Sequence, residues 1–173
     1  KYSNQDFIRA VKQAKDTGLH VTTLNMIGLP YETLADFKQT IIVNRTALPT
    51  RANLYNFFPY PGTDLFKLSK EKKFLPQNLD SRMEWYTPNL NLPEFPKKLI
   101  RKEFEWFQYN IYRSCKPLFL LLLQVFFWKV HTRPRLYHIY QAFLGVSLIN
   151  NLMRKLLRTI GVTFNVILGE YKE

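Results

Sequence analysis

The sequence predicts an α/β protein with a parallel sheet, continued by a basic helical extension. Three observations carry this. Helix-period and strand-like segments alternate through residues 1–80, with short connections between them. Each strand-like run ends in a Gly/Pro-containing turn that leads directly into a helix start. Beyond residue 96 the strand signal disappears and long apolar stripes take over, interrupted by Pro117 and Pro134.

Asn4 is the expected cap of a first helix, in which Phe7, Ile8, Val11 and Ala14 recur at helical spacing and which Gly18 ends. Residues 19–27, rich in Val, Thr and Leu, have the composition of a strand covered on both faces. Thr33-Leu34-Ala35-Asp36 is a capping-box variant with Asp in place of Glu. It opens a helix to about Asn44 with Leu34, Phe37, Ile41 and Ile42 turned inward. Residues 52–58 form the next strand, and Thr63 starts a helix to about Lys72. Strand–helix–strand units with short connections imply parallel pairing. Two strands make no stable sheet alone, so further strands are expected upstream and the chain is expected to be the C-terminal part of a longer protein. Residues 81–96, with their Pro and Asn, are the expected linker, and residues 97–173 the extension. There Pro96 opens a helix striped by Leu99, Ile100, Phe104, Phe107 and Ile111. After Pro117 comes an apolar run of 11 residues, 118–128, against the roughly 20 that a spanning helix requires. A last helix is expected over about 137–160. Residues 162–168 fit a strand or a frayed end equally well.

The charge is uneven. Residues 1–90 carry 12 Lys/Arg against 8 Asp/Glu, and residues 91–173 carry 13 against 5. No acid occurs between Glu105 and Glu170, a span holding Arg113, Lys116, Lys129, Arg133, Arg135, Arg154, Lys155 and Arg158. Such a stretch suits a polyanion or an anionic membrane surface. Cys115 is the single cysteine, so neither an internal disulfide nor a cysteine-held metal site can form within the chain. No secretory signal pattern opens the sequence, and the expected location is the cytoplasm, peripheral on the membrane if the extension binds lipid.

Two loops carry the functional signal: Gly28-Leu29-Pro30-Tyr31-Glu32-Thr33 and Pro59-Tyr60-Pro61-Gly62-Thr63. Both sit where a parallel strand hands over to a helix, the place where α/β sheets bind ligands. Gly28 lets a ligand approach the backbone, Pro30 stiffens the turn, and Glu32 lies at a helix mouth that favours negative charge. Pro59 and Pro61 fix the second turn, and Gly62 lets it close. On these grounds alone the loops could equally be structural turns. With their spacing and neighbours, Asn25-Met26-Ile27 before the first and Phe57-Phe58 before the second, they resemble the late barrel strands of radical S-adenosylmethionine (SAM) enzymes, nearest to the branch with a cobalamin-binding domain.

The resemblance covers about residues 1–80. It implies the C-terminal part of a partial (β/α) TIM-like barrel whose upstream portion holds a [4Fe-4S] cluster in a CxxxCxxC loop, binds SAM and generates a 5′-deoxyadenosyl radical. It implies methyltransferase or cyclase chemistry, with cobalamin in that branch. A cobalamin-free member of methylthiotransferase or coproporphyrinogen-oxidase type is the neighbouring possibility. Carried onto this chain, Met26, Ile27 and Gly28 would lie by the adenosyl group, with Asn56 and Phe58 as a second wall and Glu32 at the family's acidic position. Tyr31 departs from the Gly of many relatives, so the turn is expected to take a conformation that a bulky residue tolerates. The cluster cysteines are absent, so this polypeptide by itself cannot cleave SAM.

Other signals are weaker. His131 and His138 are seven apart with Pro134 between them, a pattern of surface or interfacial histidines rather than a ligand pair. No Ser/His/Asp arrangement, P-loop or GxGxxG occurs. The Tyr and Trp residues fall at helix-core spacing with no RNA-binding motif, which argues against nucleic acid. The alternative to the enzyme reading is a non-catalytic, membrane-associating or partner-binding protein that keeps a half-barrel.

Overall fold

The computed structural model describes residues 2–77, 79, 87–133 and 136. The chain divides into two compact units, Lys1–Trp128 and Lys129–Glu173. The helix and tail expected from residue 137 on, His138, and residues 80–86 fall outside the described residues.

The first unit opens with α1 (Asn4–Asp16), β1 (Thr22–Ile27), α2 (Leu34–Ala47), β2 (Arg51–Asn56) and α3 (Asp64–Glu71). The cap of α1 is Ser3, not Asn4. Ser3 Oγ accepts the Asp6 N–H at 3.2 Å while the Asp6 carboxylate accepts the Ser3 N–H at 3.1 Å, closing a box for which Asn4 is one residue late. Thr33 and Asp36 make the same box on α2, at 3.2 Å and 2.9 Å, as the sequence predicts. In both boxes the cap's hydroxyl and N–H hold the aspartate below the usual carboxylate range. Thr63 Oγ1 caps α3 by accepting the Phe66 N–H at 3.2 Å.

Helices α1 and α3 end alike, with one difference. Behind α1 the Gly18 N–H reaches Lys15 O at 2.8 Å and the Leu19 N–H reaches Ala14 O at 3.1 Å; behind α3 the Lys73 N–H reaches Lys70 O at 3.1 Å and the Phe74 N–H reaches Ser69 O at 2.8 Å. Both are Schellman closures, which need a left-handed residue. Gly18 supplies it at φ 83 at little cost, whereas exposed Lys73 is held at φ 58. Lys73→Gly should therefore raise the unfolding free energy by about 0.5–1 kcal/mol in urea denaturation, and Gly18→Ala should lower it by about 1 kcal/mol.

β1 and β2 pair in parallel with Thr22 opposite Arg51 and Ile27 opposite Asn56. One face of the pair is buried: Thr23, Ile27, Ala52, Leu54 and Asn56 are all at most 9% exposed. The other is open, with Leu24 73% and Met26 46% exposed, which corrects the expectation that β1 is covered on both sides. The cause is that α2 packs on the first face, where Phe37 and Ile41 join Ile27, Ala52 and Leu54 and Asn44 meets Thr23. On α2, Phe37 and Ile41 are buried as expected and Leu34 packs at the core margin, but Ile42 is turned to solvent. The described residues thus form a mixed α/β arrangement with a two-stranded parallel sheet. Further strands of a TIM-like barrel are not among them.

The sheet's covered face is completed by α4 (Lys97–Tyr112), followed by α5 (Leu118–His131). Pro96 caps α4 rather than serving as its first residue. The predicted stripe is real: Ile100, Phe104, Phe107 and Ile111 are buried, with Leu99 beside them. Residues 87–96, expected as a connecting segment, place Leu90, Leu92 and Phe95 in the same core. Polar ties hold α4 in place. Lys38 pairs with the buried Glu103 at 2.7 Å, Arg45 Nε donates to Asn110 O at 2.8 Å, and the Tyr112 hydroxyl donates to Pro49 O at 2.9 Å. Gln108 Nε2 also donates to Ala52 O. Burial pushes the Tyr112 phenol well above its usual range, so it stays a donor.

Candidate functional site

Parallel register brings the ends of β1 and β2 to one edge, Ile27 beside Asn56, and the Phe57 N–H extends the pairing to Ile27 O at 2.8 Å. The two loops singled out in the sequence leave from this edge side by side.

The first loop is a turn around Pro30 and Tyr31, closed by the Glu32 N–H on Leu29 O at 3.0 Å. Pro at the second position and a positive φ at the third are the marks of a type II turn, and Tyr31 is held at φ 65. Against expectation, the turn keeps the left-handed conformation that a Gly adopts freely. Tyr31 is anchored there by an edge contact to Phe74, ring centres 5.6 Å apart. Gly28 is required by its own φ of 84. The space a Cβ would take there is lined by Ile100, at 3.6 Å, so on that side α4 approaches the backbone and a ligand does not.

Glu32 turns back under the strand end. Its Oε2 accepts the Gly28 N–H at 2.5 Å and the Leu29 N–H at 3.3 Å. Partial burial raises its pKa, opposed by those two N–H groups and reinforced by the charge of Asp36. For a carboxyl whose folded pKa is raised, the charged form costs stability. That cost is absent below the unfolded pKa and appears as pH rises through the folded one. Asp6 and Asp36 run the other way, their contribution being present above the ordinary aspartate pKa and lost as pH falls. Glu32→Gln keeps an acceptor oxygen without the charge. Its unfolding free energy at pH 7 should equal or exceed that of the wild type, and the difference should shrink as pH falls through the raised pKa. Glu32→Ala strands two half-buried donors and should cost about 1–2 kcal/mol at either pH, read from urea melts at pH 4 and pH 7.

In the second loop Phe58 is buried and meets Tyr60 edge-on at 4.8 Å. Thr63 Oγ1 donates to Tyr60 O at 2.8 Å, and buried Asn89 holds Phe57 O through Nδ2 at 2.8 Å. Gly62 is at φ 91 with nothing within 4 Å of a Cβ, so its backbone angle alone demands glycine.

The six residues carried over from the resemblance are therefore placed as follows. Met26 lies on the open face. Ile27 and Asn56 lie together on the opposite, covered face. Gly28, Glu32 and Phe58 form the two loops at the edge. Beside Met26 in register is Tyr55, with Asn53 next on the same face and its Nδ2 3.4 Å from the Tyr55 hydroxyl. Sequence reasoning passed over Tyr55 and Asn53, which strand alternation puts on the face opposite Asn56 and so on the side of Met26. The edge offers shape, an open face and backbone positioning. Among the described residues no group of three or more His, Cys, Asp or Glu could hold a metal, and Cys115 stands alone and exposed, so the donors present do not fit an iron–sulfur cluster.

A stretch of 65 residues is 35% identical to the threonylcarbamoyladenosine tRNA methylthiotransferase MtaB of Thermotoga maritima. It amounts to 36% of this chain but only 15% of that protein. No family model and no solved structure matches. This partial likeness suggests the radical SAM superfamily at most, and nothing in it supports a cobalamin-binding branch.

Proposed function

We propose that this chain supplies the late strand–helix units of a radical SAM enzyme. The rest of that enzyme, including the CxxxCxxC loop and its [4Fe-4S] cluster, would come from an upstream part of the same protein. The observation that carries the reading is the pairing of the two loops at one edge of a parallel β1–β2 sheet whose Met26–Tyr55 face is open. The match to a methylthiotransferase over part of the chain supports it. In this reading Met26 meets the adenosyl part of SAM from the open face and Gly28 adjoins it at the strand end, while Ile27 and Asn56 back the strands from the covered face, Phe58 leads into the second loop, and Glu32 shapes the first turn by holding two N–H groups. The chain's own residues bind and orient; the bound cluster would supply the electron that cleaves SAM.

The same proposal extends to cobalamin and to methyltransferase or cyclase chemistry, as the loop resemblance implies. The methylthiotransferase match favours the cobalamin-free alternative. The test is to express the complete reading frame that contains residues 1–173, reconstitute it without oxygen and reduce it with dithionite in the presence of SAM. Release of 5′-deoxyadenosine is expected, and a corrinoid absorption spectrum separates the two branches. A reading frame without the three cysteines would sink the proposal and leave the non-catalytic half-barrel protein in its place.

A further inference from the structure

The sequence marked residues 118–128 as a single apolar run, but the fold divides it into two faces. Leu121 is inserted into the core, and Trp128 packs against it with its ring 5.3 Å from Phe104. Leu118, Phe119, Leu122 and Phe126 point away and are 56%, 69%, 43% and 60% exposed. At about 100° per residue these four span an arc of about 100° on α5, a continuous apolar stripe on the outer side of a helix already anchored by its inner side. A stripe of four large side chains left in water marks a contact surface.

The charges around it say what kind. Exposed Arg113 and Lys116 precede the stripe, the Lys116 ammonium resting 3.9 Å from the centre of the Tyr112 ring. No acid occurs between Glu105 and Glu170. An anionic bilayer satisfies both features at once. Its headgroup phosphates meet cations whose stems can snorkel, and its acyl boundary takes the apolar side chains. A nucleic acid would meet the cations but leave Leu118 and Leu122 in water. α5 has 14 residues, and among the described residues no helix is long and apolar enough to cross a membrane. The geometry is that of a helix lying in the interface.

We infer that α5 docks on an anionic lipid surface, with Leu118, Phe119, Leu122 and Phe126 in the headgroup–acyl boundary and Arg113 and Lys116 toward the phosphates. This is independent of the radical SAM reading and survives its failure. The test is flotation of the whole chain with vesicles of phosphatidylcholine alone or mixed with phosphatidylglycerol, at low salt and near 1 M salt.

The chain should float with the mixed vesicles at low salt and bind the neutral ones more weakly. The double variant Phe119→Ser, Phe126→Ser should reduce binding at least roughly ten-fold. Arg113→Gln should reduce it roughly five-fold on the mixed vesicles only. Both phenylalanines are exposed, so the variant should keep its fold, which circular dichroism checks. A chain that stays in solution with both vesicle types overturns the inference, whether the stripe then proves to join two copies by light scattering or to accompany tRNA binding. A double variant that floats like the wild type overturns it as well.

Discussion

Phe37→Ala should lower the unfolding free energy of the chain by about 3–5 kcal/mol, the cost of emptying a fully enclosed aromatic site. Phe37 is 0% exposed, and its ring lies 6.1 Å from Phe95 and 5.9 Å from Phe107. Those neighbours come from the connecting segment and from α4, so the ring joins three parts of the sequence at one point. A stable domain has only about 5–15 kcal/mol in hand, and this single change would consume a large share of it. The loss should be cooperative. Amide exchange in residues 97–112 should accelerate together with that in residues 34–47. If α4 kept its wild-type protection while α2 lost it, α4 would not be part of one cooperative core with the sheet.

Much of this arrangement is visible in the residue pattern, and the misses have physical causes. Thr33 with Asp36, Thr63, and the stripe from Leu99 to Ile111 were legible because a cap and a helix stripe are local or periodic signals. The burial of Leu90, Leu92 and Phe95 was not. Their spacing has no period, and the surrounding Pro and Asn suggested a tether. The open face of β1 was hidden for a related reason. Leu24 and Met26 are as apolar as buried strand residues, and composition cannot tell a face covered by helices from one left for another element. The left-handed Tyr31 shows the same limit at a single residue. Pro30 announced the turn, but the contact to Phe74 that holds a bulky side chain there comes from 43 positions along the chain (74 minus 31). Of the candidate site, the two loops could be read from sequence. The separation of Met26 from Ile27 and Asn56 across the sheet follows from pleat and register.

Asn44→Leu should cost about 2–4 kcal/mol although it keeps the branching and the number of heavy atoms, because what it removes is polar. Asn44 is 1% exposed and ties α2 to β1. Its Oδ1 accepts the Thr23 hydroxyl at 2.8 Å, and its Nδ2 donates to Asn25 Oδ1 at 2.7 Å and to Thr40 O at 2.9 Å. Asn25 in turn donates to Asn53 O at 3.0 Å, so the network continues into β2. Losing Asn44 leaves the Thr23 hydroxyl and the Asn25 carbonyl without their partner in a buried place, where the full desolvation penalty applies. Thr23→Val added to Asn44→Leu removes one of the stranded groups. The double variant should be more stable than the sum of the single losses predicts, with a coupling of at least about 1 kcal/mol. The network lies directly behind the strand whose end carries Gly28, and this separates scaffold from wall. Met26→Ala, on the open face, should leave the urea midpoint within experimental error while weakening SAM binding in the complete protein. Asn44→Leu should move both, since it loosens the strand that presents Met26. Equal effects of the two variants on stability would mean that Met26 is packed as core rather than presented to a ligand.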